Sequence, residues 1–381
     1  MRVRLIPLVL VATFLLIPPA AAQNTDYDVW LNNVSLRPGV SVDMYVRVFV
    51  NEKHPCHDKT IVALHGAWGG WGVWEGLAEE LFADNPTGQK VCRVASIALP
   101  GHPGLPFLGS SLPTGGLLFG ELTMDDYVTA YLATLERLPR YGVHTKTLLG
   151  HSMGGLVLQM AQQRLADQGT NLRRKFNAKK VLLLGPVPPA AVQYSASDQI
   201  SGLFFMFHSC FTGPGGVIAD PANCGWLDAE GDNDIDFADL NWFIGPAVWD
   251  CDPLTTPVGI PPLPAAQACD STLGLGDFSI YAPGAEPFRE SMTALFEFLG
   301  VLQYQRPDVD AGVFRRASKT KLWVVSFEHD DLKDSPVYEY LTGDSSLAGD
   351  LLVTGPFAVH DMPWLFPREF LDAIAGVIKL P

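Results

Sequence analysis

Gly150-His151-Ser152-Met153-Gly154-Gly155 lies between an apolar run ending in Thr147-Leu148-Leu149 and a helical pattern starting near Gly155. A strand that must reverse sharply into a helix holds the residue at its apex at a strained backbone angle with its side chain exposed. Side chains two positions before and two after that apex would collide, and both positions are glycine here. Ser152 is therefore the candidate nucleophile.

A serine hydroxyl is a poor nucleophile at neutral pH. It needs a histidine to take its proton and a carboxylate to hold that histidine in the right tautomer. Asp330 follows the apolar strand candidate Lys321-Leu322-Trp323-Val324-Val325-Ser326, in the loop Phe327-Glu328-His329-Asp330. His360 comes thirty positions later, in Phe357-Ala358-Val359-His360-Asp361-Met362-Pro363, after another short apolar run and before the helical segment from Pro367 to Ile378. Loops at strand carboxyl ends are where α/β sheets place their sites. Asp331 and Asp334 are reserve candidates for the acid, and His329, His151 and His102 read as supporting or turn residues.

His65-Gly66-Ala67-Trp68-Gly69-Gly70 directly follows the buried-strand run Thr60-Ile61-Val62-Ala63-Leu64. Glycines there let backbone amides turn inward. With this loop, the elbow and the order Ser, Asp, His, the chain resembles the α/β-hydrolase family. Leu99-Pro100-Gly101-His102 resembles that family's glycine-histidine turn, and the resemblance covers residues 27–186 and 315–381. It implies a mostly parallel sheet flanked by helices, with an inserted lid. It also implies an oxyanion hole formed by the amides of Ala67 and Met153; Trp68 and His151 are candidate substrate contacts, and no cofactor is expected for catalysis.

Residues 41–51 alternate as a strand, and helical patterns run from Trp74 to Phe82, Met124 to Leu138 and Gly155 to Leu165. Strands alternating with helices predict a parallel sheet wrapped by helices. From Val181 to Phe288 the chain has no lysine or arginine, while prolines, glycines and aromatics accumulate. The expected organisation is a catalytic domain from 23–186 and 315–381, interrupted by a lid insertion over 187–314 in which Phe204, Phe205, Met206 and Phe207 line either a pocket or a plain lid core.

Within that insertion, Asp228, Glu230, Asp232, Asp234, Asp236 and Asp239 stand at positions 1, 3, 5, 7, 9 and 12 of a loop spanning 228–239. Many oxygens brought round one point suit a hard cation. The loop resembles a dockerin-type calcium repeat, with Asn233 at position 6 where glycine is usual and only one complete copy visible. It reads as a structural calcium clamp, with a solvated acidic loop as the alternative.

The chain opens Met1-Arg2-Val3-Arg4, runs apolar from Leu5 to Ile17 and reaches Ala20-Ala21-Ala22-Gln23. This pattern predicts a signal peptide over 1–22 cleaved after Ala22, and a secreted or periplasmic protein. Six cysteines then suggest disulfides, with locality favouring Cys56–Cys92, Cys210–Cys224 and Cys251–Cys269. For the first pair, Cys56 precedes the strand at Thr60 and Cys92 begins the strand from Val91 to Leu99, neighbours in a hydrolase sheet. Asn33-Val34-Ser35 matches a glycosylation acceptor.

The net charge of −15 argues against nucleic acid and anionic membrane surfaces as partners and against acidic polymers as substrates. No segment after the leader is long and apolar enough to span a membrane. These features together predict a secreted serine hydrolase acting on a small or hydrophobic carboxylic ester. Amide, lactone, thioester and carbon–carbon bonds remain open because they use the same triad. A calcium-dependent binding protein, docking a protein partner through the acidic loop, is the alternative of another class.

Overall fold

Thr60–Leu64 reads Thr-Ile-Val-Ala-Leu, and as strand β3 it is buried at all five positions. Burial on both faces is what a continuous β-branched and apolar run requires, and it marks a strand in the middle of a covered sheet. The computed structural model describes residues 25–54, 59–66, 70–83, 91–102, 110–111, 122–192, 308–316, 320–328, 330, 332–333, 335–343, 349–355, 357–358, 360 and 362–380. The expected leader over 1–22, the acidic loop 228–239 and the aromatic run 204–207 lie outside them.

Eight strands form one sheet among the described residues. They are β1 (Tyr27–Arg37), β2 (Val40–Val50), β3, β4 (Arg93–Ile97), β5 (Thr145–His151), β6 (Lys180–Leu184), β7 (Lys321–Phe327) and β8 (Asp350–Val353). The spatial order is β1-β2-β4-β3-β5-β6-β7-β8. β1 and β2 pair antiparallel, β2 joins β4 antiparallel, and every later pairing is parallel. β1 bulges between Leu31 and Val34 because Asn33 turns left-handed at φ 53°, its amide donating to Asp43 Oδ1 at 2.7 Å. An asparagine suits that conformation irrespective of glycosylation.

Among the described residues eight helices accompany the strands: α1 (Glu75–Phe82), α2 (Met124–Arg137), α3 (Met153–Asp167), α4 (Leu172–Phe176), α5 (Val313–Arg316), α6 (Val337–Thr342), α7 (Met362–Leu365) and α8 (Pro367–Ile374). Residues alternate between the two sheet faces with period two. Val62 and Leu64 join a core with Tyr127, Val128 and Tyr131 of α2 and Leu156, Val157 and Ala161 of α3. Ile61 and Ala63 face the opposite way, into a core with Leu77 and Leu81 of α1 and Phe370 and Ile374 of α8. The sheet is thus covered on both sides, as the alternation of strands and helices predicts.

Local chemistry sets the helix ends. Thr123 caps α2 by accepting from the Asp126 amide while the Asp126 carboxylate accepts from the Thr123 amide, a reciprocal arrangement that satisfies two otherwise orphaned donors. The helix expected to run from Pro367 to Ile378 stops at Ile374, and the one expected from Trp74 is preceded by a 3-10 turn, Trp71–Trp74. No helix among the described residues is long and apolar enough to cross a membrane.

Cys92, the one cysteine among the described residues, is disulfide-bonded. Its carbonyl accepts from the Asn51 amide at 2.9 Å and its amide donates to the Lys59 carbonyl at 3.0 Å, so both ends of the short connection holding Cys56 are bonded to it.

Candidate active site

Ser152 stands between the last residue of β5 and the first of α3, leaving the reversal to a single residue. Its φ and ψ are 51° and −118°, a conformation that a side chain with a Cβ rarely adopts. The surroundings over-determine it. The Ser152 amide donates to the Leu184 carbonyl at 3.0 Å, and its carbonyl accepts from Gly155 at 2.9 Å and Val187 at 3.2 Å. A Cβ on Gly150 would lie 2.6 Å from the Gly154 carbonyl oxygen, and one on Gly154 would lie 2.5 Å from that of His65. Both glycines are required by close backbone approach.

The candidate acid and base, Asp330 and His360, come from the loops after β7 and β8. Asp330 is fully buried, with one oxygen accepting from His360 Nδ1–H at 2.8 Å and the other from the Leu332 amide at 2.9 Å. This pairing orients the imidazole and fixes its proton on Nδ1, leaving Nε2 as the basic nitrogen. A second brace joins the two loops: Glu328 Oε2 accepts from the Gly355 amide at 2.8 Å. Asp331, Asp334 and His329 lie outside the described residues.

Gly185, which the sequence reading passed over, ties the pair to the elbow. It follows Leu184, whose carbonyl holds the Ser152 amide, and has φ +46°. A Cβ there would lie 2.8 Å from Asp330 Oδ2 and 2.9 Å from His360 Nδ1. The backbone after β6 therefore packs directly on the carboxylate–imidazole bond. In sequence, Gly185-Pro186 reads simply as a turn after a strand.

The glycine-rich turn after β3 arrives from the other side. A Cβ on Gly66 would sit 2.9 Å from the Ser152 Cβ, so this turn abuts the candidate nucleophile. His65 anchors it: the Leu99 amide donates to His65 Nε2 at 2.9 Å, and His65 Nδ1–H donates to the Gly66 carbonyl at 2.6 Å. Burial, reinforced by His102, pushes the His65 pKa well below that of a free imidazole, keeping it neutral as those bonds require. His102 is likewise buried, its pKa lowered to about 4 by desolvation, and its Nδ1–H donates to the Pro100 carbonyl at 3.1 Å. Ala67 and Trp68 lie outside the described residues. Met153 opens α3, so its amide belongs to the helix N-terminus, where the helix dipole favours negative charge.

His151, expected to touch substrate, is buried with its ring 4.6 Å from that of His360. The six acidic residues of the expected cation loop are outside the described residues, and no cluster able to hold a metal occurs among the described ones. A half-buried serine at the N-terminus of a helix, in one site with a carboxylate-bound imidazole, has the chemistry to form and release a tetrahedral oxyanion.

Residues 61–374 match the sequence profile of the alpha/beta hydrolase family. No curated protein matches the chain. Among solved structures, a probable hydrolytic enzyme from Pseudomonas aeruginosa is similar at 16% identity and TM-score 0.52, over 94% of this chain and 96% of its own. A mutant of potato epoxide hydrolase is also similar, at 16% identity and TM-score 0.52, over 92% of this chain and 98% of its own. At that identity the likeness is one of fold.

Proposed function

The chain belongs to the alpha/beta hydrolase family, and from that premise we propose that it is an exported serine hydrolase that cleaves carboxylic esters through an acyl-enzyme. The observation that carries this reading is the convergence at Gly185, where the backbone beside the strained Ser152 packs on the Asp330–His360 hydrogen bond.

In the proposed reaction His360 Nε2 takes the Ser152 hydroxyl proton as Oγ attacks the ester carbonyl. The Ala67 and Met153 amides hold the oxyanion, and Asp330 steadies the imidazolium. Collapse expels the alcohol, which takes its proton from His360. Water then repeats the sequence on the acyl-enzyme and releases the acid. Epoxide hydrolases of this fold carry aspartate at the nucleophile position, so Ser152 favours acyl chemistry over epoxide opening. Trp68 and an apolar, aromatic-rich lid favour a hydrophobic acyl or alcohol portion.

The leader over 1–22 supports export, and export supports a Cys56–Cys92 disulfide bridging the connection before β3. The acidic loop 228–239 is read as a structural calcium clamp with no part in the chemistry. If so, a chelator lowers the melting midpoint, and an unchanged midpoint removes the clamp.

A fluorophosphonate probe followed by peptide mapping tests the central reading, together with a p-nitrophenyl ester series of increasing chain length. Modification at Ser152 with ester turnover is the expected result. Turnover that survives Ser152→Ala overturns it.

A further inference from the structure

We infer that His151, the residue before the candidate nucleophile, is a positioning residue that sets the reach of His360 to Ser152. The inference rests on the serine-hydrolase reading above. His151 Nε2 lies 2.9 Å from the His360 backbone oxygen, across 209 positions of sequence. A carbonyl only accepts, so the nitrogen must donate, and the His151 proton is on Nε2. The two rings are 4.6 Å apart, inclined at 47°.

The surroundings leave His151 little freedom to serve as a mobile substrate contact. Its ring meets the edge of Trp74 at 6.4 Å between centroids, and a Cβ on Gly66 would lie 3.1 Å from its Nδ1. It is buried, and it ends β5, where it is paired in register with Leu184 of β6. His360, by contrast, lies between β8 and α7, in neither a strand nor a helix.

The hydrogen bond therefore ties the backbone of the base to the rigid central strand, one residue from the serine it serves. Asp330 fixes which way the imidazole turns, and His151 fixes where its backbone stands. Small misplacements matter at such a site, since a shift of about 1 Å can cost on the order of a hundredfold in rate.

The test compares His151→Gln, which keeps a donor at a similar reach, with His151→Met, similar in shape but without one. On p-nitrophenyl butyrate, His151→Met is expected to lower kcat about 10- to 100-fold with KM nearly unchanged, and His151→Gln to recover most of that loss. Equal kcat in the two variants overturns the inference. So does a raised KM with intact kcat, which marks a substrate contact instead. Nitrogen-15 NMR of the histidines in the wild-type protein decides the matter even where His151→Met fails to fold: the Nε2–H tautomer at His151 is expected, and Nδ1–H overturns it. An active Ser152→Ala variant overturns the hydrolase reading itself, whereas an inactive one beside wild-type kcat in His151→Met overturns only this inference.

Discussion

The side of the candidate site around Ser152 is shaped by backbone, and the side around Asp330 and His360 by side-chain hydrogen bonds. Around Ser152, amide and carbonyl contacts to Leu184, Gly155 and Val187 and two backbone-tight glycines hold the elbow. Around His360, the bonds run through the Asp330 and Glu328 carboxylates and the His151 ring. The two sides should fail differently. A change among the side chains removes chemistry and leaves the fold standing, while a methyl group added at the elbow strikes main chain and threatens the fold itself.

The largest effect is expected from the side-chain half. Asp330→Asn keeps an acceptor toward Leu332 but no longer enforces a proton on His360 Nδ1, and kcat on a p-nitrophenyl ester should fall about 10⁴-fold with cooperative thermal unfolding retained. A loss of folding in step with activity would erase the contrast. On the backbone half, Gly150→Ala sets a Cβ against the Gly154 carbonyl and the Leu158 side chain. Neither helix nor strand can shift without opening the elbow, so urea unfolding should show a loss of about 3 kcal/mol and activity should fall with the folded fraction.

Gly185 belongs to both halves and sharpens the comparison. In Gly185→Ala the left-handed φ of +46° costs about 1–2 kcal/mol. The added methyl also pushes on the Asp330–His360 bond, so kcat should fall by about 10- to 100-fold, more than the stability loss alone accounts for. A variant destabilised by this amount yet fully active at low temperature would show that the contact does not position the pair.

The same contrast explains what could be read in the chain beforehand. The elbow was legible because its demands are local: two glycines and a serine within a few positions must satisfy a strand-to-helix reversal, and β5 and α3 meet there with Ser152 between them. Asp330 and His360 were legible more weakly, as loop residues after apolar runs in the right order. Gly185, Glu328 and His151 were not legible in these roles. Each acts across a long stretch of chain, on the Asp330–His360 pair, Gly355 and the His360 carbonyl respectively, and no local pattern announces such contacts. The apolar pattern of α8 continues past its end at Ile374 to Ile378, which is buried and whose amide donates to the Ile374 carbonyl at 2.8 Å, so the pattern alone does not mark where the helix stops.

The smallest expected effect concerns the histidines behind the glycine-rich turn, where burial rather than chemistry dominates. Burial lowers the pKa of His102 to about 4 in the folded state, against about 6.5 for an unperturbed imidazole. Below pH 6.5 the unfolded chain therefore binds a proton that the folded one refuses. Stability is full above that value and declines as pH falls toward 4, with His65 shifted in the same direction and adding to the slope. Between pH 7 and pH 5, His102 alone should contribute a loss of about 2 kcal/mol, measurable as a lower urea midpoint at unchanged m-value. In His102→Gln that slope should become shallower by this amount, with the share of His65 remaining. If the slope persists unaltered, His102 is not the group that carries the pH sensitivity.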